Sequence, residues 1–405
     1  MKLRPNVKKL KKTSVLISVI LVAVFVGVIV WQLSLNRPTQ KPISTASDQP
    51  LVITKVVEPV KPSNKLHVSA MGDMLAHDTI IANAKTDTGY DFTKFFKNIL
   101  PSYEKSDVVF CNQEGLSAGE SFGISGYPSF NAPAQFSTDL SNVKCNAINL
   151  ANNHMGDKGV AAISKTIDNW AALKPLLISG ANKTATDQAN VGVAEVNGVK
   201  ISLVSFADFN NNKSTPAANV NLYHDESLVR KLVGYARANS DLVMVSMHWG
   251  VEDSNTVSSD QTTQANLLAS LGADVVIGTG PHVLQRQQTI ARPDGGQIVV
   301  WYSLGNMLSS QLNINELIGG IAGFDVEKTA DKQVKVTNLT FIPTYMHYEW
   351  TASERDSGNL LARKNAMIHL LDQAAEPMSR SLLNTSVSVE KQYVISTLGS
   401  GVTIK

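Results

Sequence analysis

The chain has 405 residues, 43% hydrophobic and 17% charged, enough for a sizeable core and more than one layer of structure. A formal net charge of +2 excludes a globally polybasic, nucleic-acid-binding protein. Cys111 and Cys145 are the only cysteines, and a core of this size needs no covalent staple, so two buried thiols are expected. An outside location would permit a disulfide between them.

The positive charge is uneven. Lys2, Arg4, Lys8, Lys9, Lys11 and Lys12 precede a near-continuous apolar run from Val15 to Trp31. Residues 1–12 read as a cytoplasmic basic segment and 13–35 as a single-pass signal anchor, which places the remainder outside the cell. No small-x-small cleavage site follows the run, where Trp31-Gln32-Leu33 stands. Residues 36–64, rich in Pro, Thr, Ser and Lys, read as an extended extracellular linker. A domain is expected over 65–345 and a C-terminal extension over 346–405.

Within the domain, short apolar runs end repeatedly in polar residues. Leu66–Met71 runs into Gly72-Asp73, with His77 close behind. Phe92 to Leu100 has helical character before Pro101. Val108–Phe110 runs into Cys111-Asn112-Gln113-Glu114-Gly115. A glutamate just past a buried strand is hard to explain by packing, and its two oxygens suit it to bridge metal ions. Residues 117–133, rich in Gly, Ser and Pro, read as a long loop over a cleft. Ala147–Leu150 leads into Ala151-Asn152-Asn153-His154. Asn carbonyl and His nitrogen are competent metal ligands, and a histidine can also protonate a leaving group.

Gly159–Leu173 carries apolar residues at helical spacing, and Leu176–Ile178 is a short strand. Two strands flank Asn197-Gly198, a strong hairpin signal. Leu228–Ala238 is helical. Asp241–Met247 is a buried strand ending in His248-Trp249-Gly250-Val251-Glu252. A helix over Gln261–Leu271 precedes the strand Ala273–Ile277, which ends in Gly278-Thr279-Gly280-Pro281-His282. Ile298–Leu304 ends in Gly305-Asn306. Two strands are expected between Gly320 and Ile342, and a helix over Leu360–Ala374.

Asp73, Glu114, Asn153, His154, His248 and His282 thus stand at five strand ends. They form a set of oxygen and nitrogen donors without a thiolate, suited to Mn, Zn or Fe in a two-metal hydrolytic site. His77 and Glu252 are possible additional ligands, and Arg286 is a candidate contact for an anionic substrate. The chain has neither a Gly-rich phosphate loop with Lys-Ser/Thr nor a Gly-x-Ser-x-Gly elbow.

Gly72-Asp73-Met74-Leu75, Asn112-Gln113-Glu114, Asn149 to His154, His248-Trp249-Gly250-x-Glu252, Pro281-His282-Val283-Leu284-Gln285 and Tyr302 to Asn306 resemble the CapA family. This is the poly-γ-glutamate capsule biosynthesis group, related to calcineurin-like metallophosphatases. The resemblance spans roughly Leu66 to Ile342. It implies an α/β fold, a four-layer αββα sandwich of two mixed sheets. It implies Asp73, Glu114, Asn153, His248 and His282 as ligands of a divalent metal, Glu114 bridging, and His154 as the acid or phosphate-contacting residue. The family usually reads Gly-x-His-Pro-His where this chain has Gly280, and Leu75 stands where metallophosphatases place a histidine. A membrane-anchored extracellular metallohydrolase acting on a phosphoryl ester, an amide or an anionic polymer end is the expected function. A non-catalytic assembly or polymer-binding subunit beside a membrane synthase is the second reading, resting on Gly280 and Leu75.

Overall fold

The computed structural model describes residues 63–331 and 333–405. The basic segment 1–12, the apolar stretch 13–35 and nearly all of the linker 36–64 lie outside the described residues. Among the described residues no helix is long and apolar enough to cross a membrane.

Strands β1 (Lys65–Leu75), β2 (Val108–Glu114), β3 (Ala147–Asn149) and β4 (Leu177–Ser179) open the fold. Strands β5 (Val193–Val196), β6 (Val199–Ala207), β7 (Leu242–His248), β8 (Val275–Thr279), β9 (Leu284–Ala291) and β10 (Gln297–Leu304) follow. Strands β11 (Asn306–Leu308), β12 (Ile318–Lys328), β13 (Val334–Glu349), β14 (Lys364–Leu370) and β15 (Thr403–Ile404) complete the two large sheets, apart from a short ribbon of Lys85–Thr86 with Gly89–Tyr90. A nine-stranded mixed sheet has the order β14-β13-β12-β1-β2-β3-β4, with β11 on β1 and β15 on β13. A six-stranded mixed sheet has the order β9-β10-β8-β7-β6-β5. The molecule is an α/β protein with two mixed sheets.

The alternation of side chains along a strand sorts the second sheet into two faces. Ile201, Leu203, Met244, Ile277 and Trp301 join the large core that also contains the first sheet. Val204, Phe206, Val245, Val276 and Val300 point the other way, against helices α3 (Glu226–Asn239) and α4 (Ser259–Ser270). Helix α2 (Gly159–Leu173) lies against the first sheet, where buried Trp170 donates its indole N–H to Gln113 Oε1 at 2.8 Å. Such a fully buried indole needs that partner.

The hairpin at Asn197-Gly198 forms, with positive φ at both turn residues. Three expectations are corrected. Residues 92–100 hold short 3-10 turns over Thr93–Phe96 and Leu100–Ser102 instead of a continuous helix. The stretch 360–374 carries strand β14, because the edge of β13 is free to pair with it (Thr344↔Leu370, Met346↔Ile368). Local spacing does not reveal a partner twenty residues upstream. After it, β15 and the helix Val387–Leu398 also pack on the domain.

The third correction concerns the cysteines. Cys111 and Cys145 form a disulfide with Cα atoms 5.7 Å apart. β2 and β3 pair in parallel with Phe110 opposite Ala147, and this brings the two residues together. The closed loop of 34 residues predicts a contribution of about 3–4 kcal/mol. Urea unfolding with and without reductant checks this; coincident curves would show that the cross-link contributes nothing.

Candidate metal centre

The strands that carry the polar residues come from both sheets, and their carboxyl ends converge. Asp73 lies near the end of β1, and Glu114 is the last residue of β2, in register with Leu75. Both carboxylates are buried. Asp73 Oδ1 accepts from Asn112 Nδ2 at 2.6 Å, and Asn112 Oδ1 accepts from Asn149 Nδ2 at 2.7 Å. Asp73 Oδ2 accepts from the Gly280 backbone N–H at 3.1 Å and lies 3.2 Å from His282 Nδ1. Burial alone would push the Asp73 carboxyl up. The hydrogen bond and charge of His282, with His248 and Gly280, hold it below its ordinary value.

Glu114 has no such anchoring. Neither carboxylate oxygen has a hydrogen-bond partner. Its nearest bases are His248 Nε2 at 3.7 Å and His282 Nε2 at 3.8 Å. Burial, against the charge of His282 and aided by the Asp73 and Glu252 charges, raises its carboxyl well above the ordinary range. A buried carboxylate without a partner costs several kcal/mol, which a bound cation would offset.

His248 closes the group. Its Nδ1 lies 3.0 Å from Thr279 Oγ1 and its Nε2 3.1 Å from Asn153 Oδ1. Burial pushes His248 down to about 4, so the imidazole is neutral at pH 7, the state a metal ligand requires. Asp73, Glu114 and His248 each offer a ligand atom within 4.8 Å of the others. The buried oxygen and nitrogen donors, with Glu114 unpartnered, are a set that can hold a metal ion.

His282 stands beside them at φ 61, a left-handed backbone that costs about 1–3 kcal/mol in a residue with a side chain. Its Nδ1 also lies 3.1 Å from Asn306 Oδ1. Burial would lower its pKa, but the Glu114 charge and the bond to Asp73 prevail and push it up to about 10. The turn that presents it passes through Gly280 at φ +108, where a Cβ would lie 2.9 Å from the Trp249 carbonyl oxygen. No side chain fits at 280. The backbone N–H of that residue serves Asp73 instead. Leu75 is buried apolar core and offers no donor.

His154 lies beside this centre, following Asn153 in the chain. Asp157 Oδ2 is 2.8 Å from its Nδ1, which leaves Nε2 as the free nitrogen. The same Asp157 oxygen accepts from the Phe130 N–H at 2.7 Å, and the Phe130 ring meets His154 edge-on at 4.6 Å. The loop 117–133 therefore lies against the site residue. His77 also touches Phe130, at 5.2 Å, and accepts from the Ser310 N–H at 3.4 Å; burial pushes it down to about 3. It is outside the three-residue ligand group. Glu252 is exposed on a cleft of about 390 Å³ lined also by Asn153, His248, Asp208 and Phe209. Arg286 lies over the Tyr302 ring, bonded to Gln288 at 3.1 Å, and does not line that cleft.

Four partners escaped the sequence reading: Asn112, Asp157, Thr279 and Asn306. Asn112 and Thr279 neighbour ligand positions in the chain, a signal that could have found them. Asp157 follows His154 by three residues, also a local signal, whereas Asn306 meets His282 only through the fold.

Residues 67–311 match the family described as bacterial capsule synthesis protein PGA_cap. The chain is 30% identical over 274 residues to the capsule biosynthesis protein CapA of Bacillus anthracis, covering 64% of each protein. It thus spans a little less than two thirds of that relative's length. It is 26% identical over 286 residues to the PGA biosynthesis protein CapA of Bacillus subtilis (strain 168), covering 68% of this chain and 71% of the other. Among solved structures, a putative 5′-nucleotidase from Staphylococcus aureus in complex with α-ketoglutarate aligns with a TM-score of 0.45 at 12% identity. That alignment covers 73% of this chain and 57% of the other. The Haemophilus influenzae NAD nucleotidase aligns with a TM-score of 0.42 at 12% identity, over 84% and 57%.

Two outcomes are expected. A metal that displaces the His282 proton binds more tightly as pH rises, about tenfold per pH unit for each proton released. Calorimetric titration with Zn or Mn in buffers of different ionisation enthalpy measures that release. Gly280→His adds no ligand and destabilises the fold by about 2–4 kcal/mol, because the backbone of Trp249 occupies the space. Denaturation and metal titration of the variant test both halves; tighter metal binding would refute the first.

Proposed function

The chain belongs to the bacterial capsule synthesis protein family, and from that premise we propose that it is a membrane-anchored extracellular metallohydrolase of capsule or cell-wall polymer assembly. The observation that carries the reading is the buried Glu114 carboxylate, without a hydrogen-bond partner and facing Asp73, His248 and His282. The two sheets with helices against them support the four-layer, metallophosphatase-type arrangement.

Asp73, Glu114 and His248 would hold a divalent ion, with Asn153 and His282 beside them. Such an ion polarises a phosphoryl or carbonyl oxygen and lowers the pKa of water. The rest is supplied by the chain. Asn112 and Gly280 fix Asp73, and Thr279 fixes the His248 ring. Asp157 fixes the His154 ring through Nδ1, so that Nε2 is the nitrogen free to hold a proton for a leaving group. The Phe130 ring and the loop behind it exclude water from that side of His154.

The names of the relatives support a capsule polymer such as poly-γ-glutamate as the material handled. The Cys111–Cys145 disulfide supports an oxidising, extracytoplasmic location. The basic and apolar pattern of residues 1–35 supports the anchor. The closed space at Gly280 favours a second reading, in which the protein is a polymer-binding subunit of a membrane synthase with a reduced metal site.

Turnover of p-nitrophenyl phosphoesters and of γ-glutamyl amides by the metal-loaded protein separates the two. Asp73→Ala and His248→Ala should abolish turnover with the fold intact. His154→Asn should lower it about 10²- to 10⁴-fold without loss of metal. Unchanged turnover in all three would refute the hydrolase. Polymer output that then depends on residues 1–35 would support the subunit.

A further inference from the structure

A second recess, of about 380 Å³, lies away from the metal ligands and is lined by Asn83, Lys94, Asn98, His347, His369 and Arg380 among others. It sits where the turn Thr93–Phe96 packs against β14. Glu349, next to the lining residues, is already occupied: it accepts from Arg380 Nε at 2.7 Å, from Asn365 Nδ2 at 2.8 Å and pairs with His347 Nε2 at 3.1 Å. Those contacts hold the Glu349 carboxyl down at about 2.

Lys94 is different. It gives one N–H to the Asn83 carbonyl and its ammonium lies 5.5 Å from the Phe95 ring centroid. Among the described residues no carboxylate pairs with it. A half-buried ammonium has three donors to satisfy, and the protein supplies only one acceptor. His369 engages Asn98 through Nδ1 at 3.2 Å, leaving Nε2 free. The recess therefore offers a lysine and an imidazole nitrogen with amide groups around them, while the arginine at its rim is already paired with Glu349 and Glu376. This chemistry suits an oxyanion.

The recess is tied to the metal centre. His77 immediately precedes the helix α1 (Asp78–Ala84), and Asn83 lies near its other end. Six residues of helix place the two about 9 Å apart along the axis. Buried Arg363 reinforces the link. It donates to the Ser310 carbonyl and to Thr79 Oγ1 at 2.9 Å, Asn83 Nδ2 donates to the Arg363 carbonyl at 2.8 Å, and Ser310 N–H reaches His77.

We propose that the recess around Lys94 and His369 is a binding subsite for a pendant carboxylate of an acidic polymer, distinct from the metal ligands. The subsite rests on the reading of the protein as a handler of capsule polymer and names which part of the chain grips it.

The test is fluorescence-anisotropy binding of a labelled, short γ-linked glutamate oligomer to the purified full chain, with inorganic phosphate and free glutamate as competitors. Lys94→Glu should weaken oligomer binding at least tenfold. His369→Gln should weaken it by a smaller factor and guards against misfolding of the first variant. Lys97→Glu changes net charge equally on an exposed residue outside the recess and should leave affinity unchanged. Equal affinity for Lys94→Glu and Lys97→Glu would overturn the proposal. So would displacement by phosphate at concentrations where free glutamate has no effect. Ester turnover by the wild-type protein is read separately, so loss of the hydrolase reading and loss of the subsite are distinguishable.

Discussion

Two carboxylates buried side by side govern this structure. Asp73 and Glu114 end neighbouring parallel strands, where water is excluded and like charges repel. The fold answers Asp73 with an amide chain from Asn149 through Asn112, with a backbone N–H and with His282. It leaves Glu114 unanswered. That asymmetry is costly for folding and useful for binding a cation. A site that satisfied every acceptor internally would gain stability and have little left to offer a ligand.

The surroundings follow from holding that pair. The first sheet supplies the carboxylates and the second supplies His248 and the turn carrying His282. The donors come within reach only because the sheets pack closely at this end. At Gly72 a Cβ would lie 1.8 Å from the Gly305 carbonyl oxygen, so the close approach of β1 to the chain after β10 depends on a residue without a side chain. His282 nearby adopts a left-handed conformation, at φ 61. Strain at a ligand position is tolerated where the framework around it over-determines the backbone.

A buried amide folds the covering loop on itself. Asn131 Nδ2 donates to the Gly119 and Gly123 carbonyls at 3.0 Å each, and its Oδ1 accepts from Ala118 N–H at 2.9 Å. Those bonds fold the loop on itself and place Phe130 against His154 and His77. Asp157 ties the loop to the imidazole by accepting from both. Packing and proton-handling geometry are thus set by the same carboxylate.

The sequence by itself determined the strand-end pattern, because a buried apolar run that stops in Asp, Glu, Asn or His declares its chemistry locally. It determined the Asn197-Gly198 hairpin and the helix Gly159–Leu173 for the same reason, since turn preference and 3.6-residue spacing are short-range. Which ends meet depends on the folded chain, since Asp73 and His282 are 209 residues apart in sequence. The disulfide, the strand at Lys364–Leu370 and the support given by Asn306 likewise depend on partners brought by pairing beyond the local chain. Sequence fixed neither the orphaned state of Glu114 nor the closed space at Gly280, because both are properties of what surrounds a residue and not of the residue itself.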